Sequence, residues 1–278
     1  MPERIVKLAD NTISAQEIEA LANWLKEGQQ LTKGPLTRQF EAEFAACIGT
    51  KHSVLVNSGS SANLLMAYSL GEAGYLKNKK VIVPAVSWIT TLSPFIQLGF
   101  ECFLCDSDPH DLGVDLNHLE SILKKERPAL LILVHILGHP NQMTEIHRLC
   151  SQYDCRVIED ACEALGSEYQ GRKAGALSLA GSFSFYYGHH ISTIEGGAIT
   201  TSDDKLYSTM LSIRSHGWSR DVPEADRLAW RQAYDIDEFR EFYSFYYAGY
   251  NLRATDLNAY LGRGQLRRLA EITEIRAR

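Results

Sequence analysis

Short runs of aliphatic and β-branched residues recur along the chain, separated by stretches whose apolar positions return every three or four residues. A continuous apolar run of a few residues marks a strand buried on both faces, and a period near 3.6 marks a helix packed by one side. On that basis strands are predicted over 53–57, 80–84, 101–105, 129–136, 156–159, 182–187 and 198–201. Helices are predicted among them over 61–71, 116–125 and 143–153, ahead of them over 15–27 and 35–47, and after them over 205–214 and 255–278. Strands alternating with helices predict an α/β fold, a mostly parallel sheet between helical layers. In such sheets ligands gather beyond the carboxyl ends of the strands, and the chemically informative residues fall there. In the last helix Leu257, Leu261, Leu266, Leu269 and Ile272 keep roughly helical spacing toward the chain end without a stop signal, which predicts a truncated chain.

Composition narrows the class. The chain has 278 residues, 45% hydrophobic and 22% charged, as expected for one large α/β domain and not for a disordered or fibrous chain. The longest apolar run, 129–137, contains His135 and is too short to span a bilayer, and the opening Met-Pro-Glu-Arg has no signal character, so no membrane and a cytoplasmic setting are expected. Lysine and arginine number 28 against 34 acidic residues, a net charge of −6 with no long basic run, so nucleic acid is not an expected partner. An anionic ligand must then be held by local groups. Six cysteines stand at 47, 102, 105, 150, 155 and 162. Cys102 and Cys105 have metal-pair spacing but lie in an apolar strand with no second pair, so they read as reduced thiols. His135 and His139 are four apart, yet Gly138 and Pro140 break any helix that would pair them on a metal. No metal site is expected.

Three segments carry chemistry. Asn57-Ser-Gly-Ser-Ser-Ala-Asn63 follows a strand and opens a helix, so free N–H groups and hydroxyls converge as a cradle for an anion such as phosphate. A plain serine-capped turn is the other reading, and no Gly-Lys-Ser/Thr follows to make a Walker loop. Asp160, in Ile158-Glu-Asp-Ala-Cys-Glu163, ends an apolar strand, where a carboxylate either caps a helix or binds a pyridinium nitrogen. Trp88 lies just beyond the strand ending at Pro84, as a stacking plane or as core.

The third segment, Ser182-Phe-Ser-Phe-Tyr-Tyr-Gly-His189-His190-Ile-Ser-Thr-Ile-Glu195-Gly-Gly197, resembles the cofactor-lysine segment of fold-type I pyridoxal 5′-phosphate (PLP) enzymes in the sugar aminotransferase family. Those read Ser-Phe-x-x-x-x-Lys and then Gly-Glu-Gly-Gly. Aligning Ser184 and the Glu195-Gly-Gly turn sets His189 where the lysine stands. Thr32-Lys-Gly-Pro35, Trp88, Glu159-Asp160 and Gly249-Tyr-Asn251-Leu-Arg253-Ala-Thr-Asp256 follow in family order. With Arg214-Ser-His216-Gly-Trp218-Ser-Arg220-Asp221, the histidine narrows the resemblance to members that dehydrate a nucleotide-linked sugar at C3.

The resemblance implies a large PLP-binding domain over 31–253, an N-terminal segment over 1–30, and over 254–278 the start of a helix leading to a small C-terminal domain not present in the chain. It implies PLP or pyridoxamine phosphate bound non-covalently and no iron–sulfur cluster. Gly59, Ser60 and Ser184 would hold the phosphate, Asp160 the ring nitrogen, Trp88 the ring face, with Glu163 beside it; Asn251 would reach a phosphate across a homodimer interface. His189 would act as the catalytic acid–base group, imidazole titrating near neutrality. His190, in an extended segment, would point away from it and serve structure. His216 and Arg220 would contact substrate. The implied reaction removes the C3 hydroxyl of a 4-keto-6-deoxyhexose, GDP-4-keto-6-deoxy-D-mannose, with L-glutamate as amino donor and ammonia released, on a route to deoxysugars such as colitose in the O-antigen of lipopolysaccharide. An iron–sulfur dehydratase needs several thiolates after the histidine, and no cysteine follows Cys162. A nucleotide-sugar 4-aminotransferase lacks its lysine here. A non-catalytic PLP or nucleotide-sugar binding protein is the remaining alternative.

Overall fold

The computed structural model describes residues 12–276; the opening Met-Pro-Glu-Arg and the last two residues of the helix expected through 278 lie outside them. In chain order the elements are α1 (Ala15–Lys26), α2 (Pro35–Ile48), β1 (His52–Val56), α3 (Gly59–Glu72), β2 (Lys80–Pro84), α4 (Ile89–Gln97), β3 (Glu101–Cys105), α5 (Leu116–Glu126), β4 (Leu130–Val134), α6 (Met143–Gln152) and β5 (Arg156–Asp160). There follow the short hairpin β6 (Glu168–Tyr169) and β7 (Arg172–Lys173), then β8 (Ala180–Ser184), β9 (Gly197–Thr201), α7 (Asp204–Arg214), α8 (Glu224–Ala233), α9 (Glu238–Glu241), α10 (Asp256–Arg267) and α11 (Leu269–Arg276).

Seven strands form one sheet in the order β1-β9-β8-β5-β4-β2-β3. β9 runs antiparallel to both of its neighbours, and the other pairings are parallel. The expected α/β class is what folds. Hydrophobic clusters cover both faces. Val54, Leu65, Met66 and Phe95 pack on one, where α3, α4 and α7 lie. Ile82, Leu119, Leu131 and Ile146 pack on the other, under α5 and α6. Cys102 packs with the first cluster and Cys105 with the second, so their thiols face opposite sides of the sheet and do not converge on one ligand.

Two buried ionic groups tie helices together, and the second also reaches the sheet. Gly34 N–H, Leu36 N–H, Thr37 N–H and the Thr37 hydroxyl all donate to the Asp256 carboxylate, at 2.7–3.1 Å. A remote aspartate thus does the work of a local cap for α2, and a Cβ at Gly34 would lie 2.7 Å from Asp256 Oδ2. Arg214, 1% exposed at the end of α7, donates to Glu41 of α2 and to the Leu55 carbonyl of β1.

Three expectations need correction. The helix expected over 255–278 is two helices, because the chain bends at Arg268 (φ −98°, ψ 4°), whose guanidinium is held by Glu17 of α1 and by Glu271. The strand expected over 182–187 starts and stops earlier, at Ala180–Ser184; from Tyr186 the chain turns, His189 N–H donating to the Tyr186 carbonyl. The sequence reading missed α4, which carries Pro94 inside it, and α8, which buries no residue and so lacks a core stripe. Among the described residues no helix is long and apolar enough to cross a membrane.

Removing the Arg214 charge leaves Glu41 buried without its ionic partner, so Arg214→Met is expected to lose about 3–5 kcal/mol of stability, read as a lower midpoint in urea.

Candidate active site

The site forms where the carboxyl ends of β1, β5 and β8 meet the amino end of α3. Ser58 caps that helix: its hydroxyl accepts from Ser61 N–H at 3.0 Å and its carbonyl from Ala62 N–H at 3.0 Å. The N–H groups of Gly59 and Ser60, at the helix tip, are thereby directed to an anion. Glycine is needed at 59 because a Cβ there would lie 2.5 Å from Ser184 Cβ. The helix tip therefore abuts the end of β8, which brings Gly59 against Ser184, with Ser60 next along the helix. The Ser60 hydroxyl reaches Thr90 at 3.1 Å, tying the cradle to α4.

Asp160 lies at the floor, buried at the end of β5. Its Oδ2 accepts from Asn63 Nδ2 and from the Thr91 hydroxyl, both at 2.8 Å. Its Oδ1 accepts a longer bond, 3.2 Å, from Cys162 N–H, and the Cys162 thiol, a weak donor, lies within hydrogen-bonding reach of the carboxylate and of Ser182. Asp160 begins no helix, so the capping alternative is set aside. Trp88, the residue before α4, is 74% exposed and is not core. A buried acceptor after β5, an anion cradle after β1 and a free aromatic face after β2, all at the carboxyl ends of parallel strands, suit a flat ring that bears both a phosphate and an N–H.

His189 is half-buried in the turn after β8. Burial holds its imidazole below the ordinary 6.5, against the upward pull of Glu163 and then Asp160, with Arg276 pushing the same way as burial. Glu163 is exposed and anchored, its Oε2 accepting from Leu137 N–H at 2.7 Å. Glu163 and Asp160 thus both act electrostatically on His189. His190 lies in the same turn and not in an extended strand; burial, Arg276 and then His189 push it down to about 4.

A second group assembles beside the cradle. Asn57 N–H donates to the Leu252 carbonyl at 3.0 Å, and bridges join Val56 to Arg253 and Ser215 to Asn251. Asn251 Oδ1 accepts from Arg253 Nε at 2.9 Å, and His216 Nε2 lies 3.3 Å from the Arg253 guanidinium. Arg220 is sandwiched between Trp218 and Phe242, 4.0 and 4.3 Å from the ring centres. Lys33, Arg220, Arg253 and Asp221 line a cleft of about 140 Å³ here. A larger hollow of about 390 Å³ beside α8, lined by Leu228, Arg231 and Arg240 among others, contains none of the predicted residues. Sequence reasoning missed Thr91, Ser182, Lys33 and Arg253 as site residues. Lys33, Ser182 and Arg253 did stand inside quoted motifs, and Thr91 follows Trp88 by three residues, one helical turn.

The sequence profile of the DegT/DnrJ/EryC1/StrS aminotransferase family matches residues 11–278. The chain is 37% identical over 272 residues to a GDP-4-keto-6-deoxy-D-mannose 3-dehydratase of Yersinia pseudotuberculosis, covering 97% of this chain and 68% of that one. Among solved structures it is similar to a histidine-to-asparagine variant of a GDP-4-keto-6-deoxymannose-3-dehydratase with bound GDP-perosamine, with a TM-score of 0.86 and 34% identity over 96% of this chain and 69% of the other. It is similar also to such an enzyme with a trapped PLP-glutamate geminal diamine, with a TM-score of 0.85, 34% identity and the same coverage.

Between the ordinary 6.5 and about 4, the unfolded chain protonates at His190 while the folded chain does not, so stability is present above that window and falls as pH drops through it. His190→Gln is expected to flatten that loss, measured by denaturant titration at neutral pH and near pH 5.

Proposed function

The chain belongs to the DegT/DnrJ/EryC1/StrS aminotransferase family, and we infer that within it the chain is a PLP-dependent sugar 3-dehydratase and not a transaminase. The substrate is a nucleotide-linked 4-keto-6-deoxyhexose, GDP-4-keto-6-deoxy-D-mannose, and the amino donor is L-glutamate. In balance, sugar and glutamate give the 3-deoxy-4-keto sugar, 2-oxoglutarate and ammonia. The observation that carries this reading is His189, an imidazole at the position where the family's transaminases need an amine.

Bound PLP or pyridoxamine phosphate would supply the amino-group carrier and the electron sink. The residues around the site fit it. Gly59, Ser60 and Ser184 would receive its phosphate, Asp160 Oδ1 would accept from its ring N–H, and Trp88 would cover one ring face with Glu163 alongside. His189 forms no stable covalent link to an aldehyde, so these contacts alone retain the cofactor. With its pKa lowered, the imidazole is a free base at neutrality. It can take a proton and return one to the departing C3 oxygen. Arg220, Lys33 and Arg253 offer cationic contacts for the diphosphate of the substrate, and His216 a ring nitrogen beside them. Exposed apolar side chains around the site, Trp88, Leu137, Tyr186 and Ile194, support a homodimer in which Asn251 serves the partner's phosphate cradle. A cytoplasmic place of action goes with this reading.

Incubation with PLP, glutamate and GDP-4-keto-6-deoxy-D-mannose is expected to yield a sugar lighter by the C3 oxygen, with ammonia released. An amino sugar without ammonia refutes the dehydratase reading, and cofactor capture without any product favours a binding protein. His189→Asn is expected to lower turnover about 10²–10⁴-fold. In His189→Lys, borohydride should fix the cofactor to the protein, which it should not do in the unmodified chain. As pH falls through the lowered pKa of His189 the base is protonated, so the acid limb of kcat is expected below 6.5.

A further inference from the structure

Asp160 belongs to a chain of buried hydrogen bonds that the sequence reading did not foresee. Ser182, Thr91, Asn63 and Asp160 are at most 4% exposed. The Ser182 hydroxyl donates to Asn63 Oδ1 at 2.6 Å, Asn63 Nδ2 donates to Asp160 Oδ2 at 2.8 Å, and the Thr91 hydroxyl donates to the same oxygen at 2.8 Å. The direction of this chain is set by charge: a flipped Asn63 amide would turn its oxygen onto the carboxylate and leave the serine hydroxyl facing an NH₂. With two donors on Oδ2, the carboxylate plane is fixed and Oδ1 is the oxygen with capacity to spare.

Each bond comes from a different wall of the site. Asn63 lies in the first turns of α3, behind the anion cradle; Thr91 lies in the first turn of α4, one turn after Trp88; Ser182 lies on β8, which leads to His189. The register of the sheet sets Ser182 opposite Asp160. Resting on the PLP reading above, we propose that Asn63, Thr91 and Ser182 are positioning residues that aim Asp160 Oδ1 at the ring nitrogen and hold the cradle, the stacking tryptophan and the β8 wall in register about it. Their bonds run to Asp160 or to one another, so they act through Asp160.

The test is titration of the cofactor-free protein with PLP, followed by tryptophan fluorescence and by the absorbance of the bound cofactor across pH. Thr91→Val removes the hydroxyl with little change of volume, and Ser182→Ala releases the far end of the chain. Thr91→Val is expected to weaken PLP binding about tenfold or more, as for one lost hydrogen bond to a charged group. It should also make the absorbance of bound PLP change with pH where that of the parent protein does not. Ser182→Ala should shift both in the same direction by less, and Thr91→Ser should restore parental values. Thermal melting of each cofactor-free variant reports folding, and either variant that melts like the parent suffices. Parental PLP affinity and spectrum in folded Thr91→Val or Ser182→Ala overturn the proposal. If the parent chain itself captures no PLP, it is the functional reading that fails.

Discussion

Burying a carboxylate is costly unless donors replace its water, and this fold buries two in succession at the end of its central strand. Side chains alternate along β5, so Glu159 and Asp160 face opposite sides of the sheet. Glu159, fully buried, receives N–H groups from Gly175, Leu177 and Ser178 at 2.7–2.8 Å and the His135 ring at 3.0 Å. Asn141 N–H donates to His135 Nδ1, which leaves the ring proton on Nε2 for Glu159. Every lone pair on that side is engaged, and the 174–178 loop is fixed to the sheet by it. On the other side Asp160 has donors for one oxygen and little for its second. The same desolvation demand therefore makes one carboxylate structural and leaves its neighbour with an acceptor to offer.

The charge on Asp160 also reaches His189. Glu163 and then Asp160 pull the pKa of His189 up, yet burial outweighs them and the imidazole falls below its ordinary value. A lysine in this turn would face the same desolvation with a permanent attachment to make; an imidazole has only a proton to exchange. The Arg276 guanidinium reaches the carbonyls of Gly188 and His189 at 3.4 Å, so the electrostatics of the turn are shaped by α11 as well as by the sheet.

The seven strands of the main sheet and most helices, though not the hairpin of β6 and β7, were legible because each is written in local terms: an apolar run for β4, a capped amphipathic period for α5, a Gly-Pro entry for α2. What escaped was written non-locally. The cap of α2 is Asp256, more than two hundred residues on, and α4 buries only Thr91, Pro94 and Phe95. The break at Arg268 depends on Glu17, which no helical period in 255–278 reveals. For the site, motifs named Asp160, Gly59, Ser184 and His189 through a family likeness. Thr91 and Ser182 belong to it by register and burial, which become visible only once β5, β8 and α4 lie side by side.

The frame that holds His189 does not depend on its side chain. Phe185 N–H donates to the Gly196 carbonyl, Thr193 N–H to the Phe185 carbonyl, and the Asn258 amide to the carbonyls of Thr193 and Glu195, at 2.9–3.0 Å. These bonds join backbone to backbone, or backbone to a helix that lies elsewhere, so the turn from 185 to 196 keeps its shape whatever residue stands at 189. Phe183 and Phe185 anchor its near end by edge-on packing with Phe44. A single exchange of lysine for histidine therefore changes what the site can do to a proton and a carbonyl while leaving cradle, acceptor and stacking face in place. That separation of frame from reagent is a physical reason why one fold can host both amino transfer and C3 deoxygenation.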